Sequence, residues 1–421
     1  MRLFGLTALA VLSACAQPRP LPTAPPAPVD WLFEAPPLDL RGESLSDADL
    51  VARILEYPST LHRVQLTPAQ LCAPNVLSAL QQRPESLIVA VSDPPHAAQP
   101  APTRGVRWST VPCASSLSAT RLRWSLALVG FAAADLSGLP PGVEELSLDV
   151  GPQGVAWVAA QYPQLRVLQL QGNDLQDDSL APLHTMPALE RLDVRWTKVN
   201  GEDPSLLPLW RRLRGLHLRR APHDAPVWQA TQLVFLDISE ERFVRADDLA
   251  RLSRLITLVA PKRIVTQDAD SNALVEASWE SLGALPLRRL TLRGASWAGS
   301  RMEGLSLFSQ LEWLVLADTW TDDAALACVL PHLSKLQLLD LRDTAITDAA
   351  LPVLLSMATL SWVDLRDTRV SQAAWQAASR PLWLWSPPRQ RDRTKSMPPS
   401  LRVSLAFDVA PDRACGLPEI P

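Results

Sequence analysis

The stretch LDLRDTAITDAAL (residues 339–351) recurs 24 residues later as VDLRDTRVSQAAW (residues 363–375). The apolar positions are kept between the two copies, whereas the polar positions vary. At the start of each copy, apolar and polar residues alternate with the period of a β-strand, so that the two kinds face opposite sides. Thr347 and Asp348 then precede a run with helical spacing, where either side chain can cap free amide groups. One copy therefore predicts one strand followed by one short helix.

The same frame recurs along most of the chain, with clear copies 20 to 32 residues apart. A strand and a short helix cannot bury their apolar faces alone, but stacked copies bury a continuous leucine core. The buried positions must therefore stay alike from copy to copy. The frames are VEELSL (143–148), LRVLQL (165–170), LERLDV (189–194), LRGLHL (213–218), LVFLDI (233–238), LITLVA (255–260), LRRLTL (287–292), LEWLVL (311–316), LQLLDL (336–341) and LSWVDL (360–365).

The spacing L-x-x-L-x-L-x-x-N/T, as in LRVLQLQGN (residues 165–173), resembles the leucine-rich repeat family. The resemblance implies an α/β leucine-rich-repeat solenoid, with a parallel sheet on its concave face and short helices on its convex face. In that family the ninth position forms a polar ladder for backbone groups of the loop, and threonine suits it because its hydroxyl donates and accepts. Here the position holds Asn173, Thr197, Thr319, Thr344 and Thr368, whereas Ala221, Glu241, Arg263 and Ala295 depart from the pattern.

The chain begins MRLFGLTALAVLSAC, where Arg2 precedes an apolar run too short to span a membrane as a helix. The segment LSAC (residues 12–15) resembles the lipobox of bacterial lipoproteins. The resemblance implies a signal peptide over residues 1–14 and a Cys15 that is lipidated and anchored in a membrane. It also implies the bacterial cell envelope, and the outer rather than the inner membrane because Ala16 follows the cysteine. The alternative is an ordinary secretory signal with a coincidental cysteine.

The rest of the chain divides into a tether, two caps and the solenoid. Residues 15–44 carry Cys15 and a proline-rich tether, which favours extended polyproline II conformation. Residues 45–142 are predicted to form an N-terminal cap with degenerate repeats, because the end of a solenoid would otherwise expose core. Residues 143–380 form the solenoid, and residues 381–421 a C-terminal cap or tail. Within the N-terminal cap we predict a helix in 45–57 and strands near 61–66 and 86–91.

Four cysteines besides Cys15 can form disulfides, which export from the cytoplasm permits. Cys72 and Cys113 both fall in the predicted N-terminal cap, and we predict that they pair. Cys328 paired with Cys415 would pin the tail to the helical side of the solenoid, but Cys328 can equally be a small buried helix residue. The sequence has no CxxC motif and no Cys/His cluster, so no structural metal is predicted.

The sequence gives little sign of catalysis. A formal net charge of −4 gives no reason to expect a nucleic-acid partner, which requires clustered Lys and Arg. The sequence has no GxSxG, no HExxH, no phosphate-binding glycine loop and no dinucleotide fingerprint. His217 and His223 flank a turn and are predicted as a surface pair rather than a metal site. We therefore predict a monomeric protein without enzyme activity or cofactor.

Outward strand residues line the predicted concave face and are the candidates for binding a protein ligand. Arg and Trp side chains together are typical of binding hot spots. A lattice of Asp–Arg salt bridges, which contributes little per pair, is the alternative interpretation of the same residues. The candidates are Arg195, Trp196, Arg219, Phe235, Arg293, Trp313, Asp340, Arg342, Trp362, Asp364 and Arg366.

Two other functions remain open at this point. The chain could be a structural spacer of the envelope. Less in keeping with the sequence, it could bind glycans or act on carbohydrates, which would require a pair of carboxylates across a cleft. The column of Asp193, Asp237, Asp340 and Asp364 offers only a scattered row of them.

Overall fold

The computed structural model describes residues 38–40, 45–56, 63–83, 87–91, 113, 123–128, 139–140, 142–267, 274–276, 279–295 and 302–377. The predicted signal peptide, Cys15, Cys415 and the tail over 381–421 lie outside the described residues. The predictions made for these residues are therefore not tested by the structure.

Strands of the described chain form one long sheet and one small one. The long sheet has fourteen strands in the order β1 to β9, β11, and β14 to β17, and its neighbouring strands are parallel. The small sheet has the order β10-β12-β13. The strands are β1 (Leu38–Asp39), β2 (Arg63–Leu66), β3 (Ile88–Val91), β4 (Arg123–Leu128), β5 (Val143–Asp149), β6 (Val167–Gln171), β7 (Arg191–Trp196), β8 (Gly215–His217), β9 (Phe235–Asp237), β10 (Val244–Arg245), β11 (Thr257–Val259), β12 (Ile264–Gln267), β13 (Leu274–Glu276), β14 (Arg289–Thr291), β15 (Trp313–Val315), β16 (Leu338–Asp340) and β17 (Trp362–Asp364).

In the described part of the chain, short helices lie between most successive strands of the long sheet, and several of them are 3-10 helices. Proline lacks the N–H that the interior of an α-helix needs. The 3-10 helix Asp177–Thr185, for example, contains Pro182. The α-helices are α1 (Asp47–Glu56), α2 (Pro68–Leu71), α3 (Val76–Gln81), α4 (Pro152–Gln161), α5 (Leu207–Arg212), α6 (Ala246–Ala250), α7 (Asp323–Val329), α8 (Leu351–Ser356) and α9 (Gln372–Ala377). Further 3-10 helices span Pro204–Leu206, Pro226–Gln229, Trp279–Leu282, Met302–Leu307, Leu330–His332 and Asp348–Ala350.

The repeated leucines form one continuous core. In the unit that contains β7, the first, fourth and sixth positions are Leu189, Leu192 and Val194, which are 1%, 0% and 0% exposed. The equivalent residues of the other units belong to the same buried cluster. Burying one leucine stabilises the fold by roughly 2 kcal/mol relative to leaving it exposed. A parallel sheet with helices between its strands confirms the predicted α/β leucine-rich-repeat solenoid.

The turn after each late strand repeats the same backbone geometry. Asp318, Asp343 and Asp367 all have φ of 59°, in the left-handed region that aspartate tolerates better than most residues. The ninth-position threonines close the turns after their own strands, because each hydroxyl donates to the carbonyl three residues earlier. The bonds are Thr197 to Val194, Thr319 to Leu316, Thr344 to Leu341 and Thr368 to Leu365, at 2.6 to 2.7 Å. The predicted polar ladder is confirmed at these positions, but Asn173 is exposed.

Aspartates in the first turn of the helices join each repeat to the next one. Asp323 accepts hydrogen bonds from the amide and the hydroxyl of Thr347 at 2.8 and 2.5 Å. Asp348 accepts the equivalent pair from Ser371 at 2.6 and 2.8 Å. Thr347 itself caps the following helix as predicted, because its hydroxyl accepts from the amide of Ala349. These bonds fix the stacking of consecutive units.

The N-terminal cap continues the long sheet rather than covering its end. The predicted helix is observed as α1, and the two predicted strands as β2 and β3. The folded part begins before residue 45, however, because β1 pairs with β2 in parallel and Leu40 is fully buried. Residues 38–40 are therefore part of the sheet and not of the tether to which we assigned them. The apolar alternation in LDL was hidden there by the prolines that precede it.

The predicted disulfide between Cys72 and Cys113 is present and ties the end of α2 to a residue 41 positions later. Cys328, in α7, is also disulfide-bonded. Its partner is not among the described residues, so the pairing with Cys415 remains a prediction. No helix in the described part of the chain has the length and apolar character needed to cross a bilayer.

Candidate functional site

The fifth-position residues of the repeats lie in one unbroken row across the sheet. Starting from β5, the strand register places each of them beside its equivalent in the next strand. Because leucines on either side point into the core, this row faces away from the helices, on the predicted concave face. We call it the fifth-position row. Its members are Ser147, Gln169, Asp193, His217, Asp237, Val259, Thr291, Val315, Asp340 and Asp364.

The middle of the fifth-position row forms a buried network around Asp237. One oxygen of Asp237 lies 2.8 Å from Nδ1 of His217 and 3.1 Å from Nη1 of Arg195. The other accepts from the amide and hydroxyl of Ser239 at 3.0 and 2.7 Å. Arg195 also binds Asp193 through two nitrogens, at 3.1 and 2.7 Å. Asp193, His217 and Asp237 are at most 5% exposed.

Burial favours the neutral form of His217, whereas hydrogen bonds and charge keep Asp237 ionised. Burial lowers the pKa of His217, which favours the neutral imidazole. Burial would raise the pKa of Asp237, but the His217 hydrogen bond and the Arg195 charge outweigh it and lower that pKa to about 2. A general acid needs the opposite shift, toward neutral pH. Asp237 is therefore built to stay ionised and to hold neighbouring donors.

The last two repeats contain a second, simpler network. Arg342 binds Asp340 on its own strand at 2.5 Å and reaches Asp364 on the next strand at 3.3 Å. Arg366 binds Asp364 at 2.5 Å. Each arginine folds back over an aspartate two residues earlier, so the lattice runs mainly along a strand and only partly across to the next.

The structure corrects the expected exposure of several candidates on the concave face. Asp340 and Asp364 are 4% and 0% exposed, because equivalent side chains of adjacent strands lie only about 4.8 Å apart and the arginines cover them. Phe235 and Trp362 are also buried. Phe235 lies against the ring of His217, with centroids 4.8 Å apart, and Trp362 pairs in register with Leu338. Whether these residues bind a ligand stays a prediction.

Trp313 is half-buried on the same face of the sheet. The guanidinium of Arg289, its register neighbour in β14, lies 4.0 Å from the centre of the indole ring. A cation over an aromatic face is attracted by the ring electrons. The two side chains therefore support one another. Trp313 is accordingly less available to a ligand than its outward position suggested.

Exposed aromatic and basic side chains collect instead where the strands end. We define the carboxyl edge as the last residues of β7, β8, β9, β14 and β15 together with the loops that follow them. Among the described residues, the exposed large apolar side chains are Leu55 in α1 and three aromatic ones, and all three aromatics lie on this edge. The exposed members that matter here are Trp196 (38%), Phe243 (44%), Trp320 (51%), Arg219 and Arg293.

Sequence reasoning missed two hollows at this edge. A cleft of about 800 Å³ opens between the loop after β8 and the loop after β9. A second hollow of about 380 Å³ lies between the loops after β7 and β8, and Arg219 and Arg220 line both. The loops after β8 and β9 are those where Ala221 and Glu241 replace the ninth-position threonine. That departure was the signal in the sequence that could have found the cleft.

His217 and His223 are not the surface pair that we predicted. His217 is buried in the network of Asp237, and His223 lies at the cleft with Nδ1 2.8 Å from Asp248. His223, Asp224 and Asp248 bring their donor atoms within 4.8 Å, which a metal ion could use. Arg251, however, contacts Asp224 at 2.6 Å and Asp248 at 3.4 Å. A guanidinium that already satisfies both carboxylates makes this an ion-pair cluster.

No family model and no curated protein sequence matches this chain. Among solved structures, it is similar to an internalin of Listeria monocytogenes, with 15% identity over 64% of this chain and 87% of that chain and a TM-score of 0.39. It is also similar to a leucine-rich-repeat protein of Leptospira interrogans, with 14% identity over 82% and 99% of the two chains and a TM-score of 0.35. TLR13, from its complex with ssRNA13, has 16% identity over 75% and 41% and a TM-score of 0.36. These likenesses concern the fold alone.

Proposed function

We propose that this protein is a non-catalytic, protein-binding leucine-rich-repeat scaffold of the bacterial cell envelope, held to a membrane by lipid on Cys15. The observation that carries the proposal is the carboxyl edge, where Trp196, Phe243 and Trp320 are exposed beside unburied arginines. Exposed Trp and Arg are enriched in binding hot spots. A protein that only separates other components of the envelope does not require such an exposed aromatic surface. Binding on the carboxyl edge extends the recognition surface that we predicted for the concave face.

The buried carboxylates of the fifth-position row support a scaffold rather than a glycan hydrolase. Hydrolysis of a glycosidic bond requires one carboxylic acid with a raised pKa opposite a second carboxylate. Asp237 has its pKa lowered instead, and Asp193, Asp340 and Asp364 are each held by an arginine at 2.5 to 2.7 Å. These groups stabilise the face of the sheet. This arrangement does not favour proton donation to a substrate.

Removal of the exposed indoles on the carboxyl edge is expected to abolish partner capture. Full-length protein carrying Trp196→Ala and Trp320→Ala should retain less than a tenth of the partner that the wild type captures from a detergent extract of the cell envelope. Each indole offers a large apolar area to a partner, and neither belongs to the buried core. The measurement is quantitative pull-down followed by mass spectrometry.

Leu55→Ala is the matched control, because Leu55 is 40% exposed on α1, away from the carboxyl edge. It should leave capture unchanged. A double tryptophan variant that still captured every partner would contradict the binding scaffold and favour the structural spacer.

Lipidation of Cys15 is tested separately. Cells that express the wild-type chain should incorporate a palmitate analogue into it and hold it in the membrane fraction. Cys15→Ala should lose the label and appear in the soluble fraction, because several acyl chains on one residue anchor stably and nothing replaces them. Equal labelling of the two proteins would refute the lipid anchor, and a soluble wild type would refute membrane attachment.

A further inference from the structure

The larger cleft of the carboxyl edge has walls of known composition, all within the described residues. One wall is the loop from Arg219 to His223, and the other runs from Glu240 to Arg245, with Asp248 at the base. We call this hollow, of about 800 Å³, the arginine cleft. It is large enough to receive a few side chains of an extended segment. Its walls follow β8 and β9 in the sequence.

Three guanidinium groups at the arginine cleft form no ion pair and no side-chain hydrogen bond within the described residues, although the charge of Arg220 acts on Glu241. The arginines of the fifth-position networks all bind aspartates, and Arg251 binds Asp224 and Asp248. In contrast, Arg219, Arg220 and Arg242 have neither an ion pair nor a side-chain hydrogen bond to any described residue. All three are exposed. Guanidinium groups that converge without partners favour an anionic ligand, since each can bind a carboxylate through two parallel hydrogen bonds.

The acidic groups at the arginine cleft are in part occupied already. Asp248 is 1% exposed and is held by His223 at 2.8 Å and by Arg251 at 3.4 Å. Glu241 is half-buried, and its burial raises its pKa in spite of the charge of Arg220 and the bonds from nearby amides. Glu240 is exposed, and its carboxylate interacts electrostatically with Arg195. The positive charge of Arg219, Arg220 and Arg242 therefore remains on the side that faces solvent.

The arginine cleft also has an apolar component. Phe243 lines it and is 44% exposed, and Trp196 is exposed at the end of β7, next to the smaller hollow that shares Arg219 and Arg220. Lys198 lines that smaller hollow and is exposed as well. An aromatic ring between cations is typical of a protein interface, where apolar anchors are fixed by a polar rim.

We propose that the arginine cleft binds an acidic segment of the partner protein, with Arg219, Arg220 and Arg242 pairing with Asp or Glu side chains and Phe243 packing against an apolar residue among them. This inference rests on the proposed function, because it names the chemistry of the partner that the scaffold holds. A protein segment fits better than an anionic polysaccharide, because the exposed rings of Phe243 and Trp196 match apolar side chains as well as charges.

The test uses full-length protein in detergent and a fluorescein-labelled synthetic peptide of Asp and Glu around one central Phe. Fluorescence anisotropy should show saturable binding that weakens as salt is added. Arg219→Glu with Arg220→Glu should weaken binding at least tenfold, and Phe243→Ala should weaken it several-fold. Arg211→Glu with Arg214→Glu is the matched control, because it makes the same charge change at exposed positions that precede β8. The control should bind like the wild type, and circular dichroism should show that all variants are folded.

Three outcomes would overturn the proposal. They are equal affinity for a basic peptide of the same length, equal weakening by the control pair, and binding of heparin that depends on Arg219 and Arg220 without binding of the acidic peptide. The pull-down with the tryptophan variants separates this proposal from the proposed function. If the wild type captures a partner that Arg219→Glu with Arg220→Glu still captures in full, the scaffold stands and the arginine cleft is not its acidic-segment site.

Discussion

Asp237→Asn is expected to lower the free energy of unfolding by about 3 kcal/mol, because it removes a buried charge that holds donors from three residues. Asp237 is 5% exposed and accepts from His217, Arg195 and Ser239. An asparagine has nearly the same shape, but one of its two oxygens becomes an NH2 group that cannot accept. At least one of these buried donors then loses its bond. The measurement is urea unfolding of the full-length protein at neutral pH, followed by circular dichroism.

Asp149→Asn is the control for the loss of a negative charge. Asp149 ends β5 and is exposed, so its replacement should change the free energy of unfolding by less than about 0.5 kcal/mol. If Asp237→Asn cost no more than Asp149→Asn, the network around Asp237 would not hold the sheet face together.

The pH dependence of the same variant follows from the pKa of Asp237. This pKa falls from 3.8 in an unconstrained chain to about 2 in the fold, which corresponds to roughly 2 to 3 kcal/mol. The stabilisation is therefore complete above pH 3.8 and is lost as the pH falls toward about 2. The difference in stability between the wild type and Asp237→Asn should narrow as the pH falls below about 4.

His217 also makes the fold less stable as the pH falls, but its effect begins at a higher pH than that of Asp237. Its pKa is lowered by burial from the usual 6.5, so the unfolded chain binds a proton that the folded one rejects. The wild type should therefore lose stability as the pH falls below 6.5. His217→Asn keeps a donor near the position of Nδ1 and should remove this part of the acid sensitivity. His332→Asn, at an exposed position, should leave it unchanged.

The leucine pattern allowed the register of the sheet to be predicted from sequence. Counting five positions within each leucine frame gives residues that pair side by side across the strands. The pattern could not predict which outward side chains are covered. That depends on Arg195, Arg342 and Arg366 folding back over aspartates, and on rings such as Phe235 lying against a neighbour about 20 residues away in the sequence. Period-two alternation fixes the direction of a side chain and not its exposure.

The arginine cleft could not be predicted from the repeat pattern either. Its walls are two loops that depart from the repeat at Ala221 and Glu241, and a repeat alignment treats such positions as irregularities. Arg219 was a candidate for the concave face, but it is exposed at the carboxyl edge, where Arg220, Arg242 and Phe243 join it. The shape of a hollow between two irregular loops depends on both backbones together, and neither stretch of sequence predicts it alone.

Loss of the disulfide between Cys72 and Cys113 is expected to destabilise the N-terminal part of the solenoid by roughly 3 to 4 kcal/mol. The bond closes a loop with a sequence separation of 41 residues, and it restricts the unfolded chain over that length. Cys72→Ala with Cys113→Ala isolates this effect, because reducing agents would also break the bond of Cys328. Double replacement leaves no free thiol from the pair to form a mixed disulfide.

Hydrogen exchange should place the effect of this double variant in the N-terminal strands. The amides of β2 and β3 should exchange faster than in the wild type, while those of β15 to β17 keep their protection, because a solenoid transmits stability mainly between neighbouring repeats. Uniform loss of protection along the sheet would show that the described repeats unfold as one unit. Unchanged protection of β2 and β3 would show that the bond does not hold the N-terminal cap.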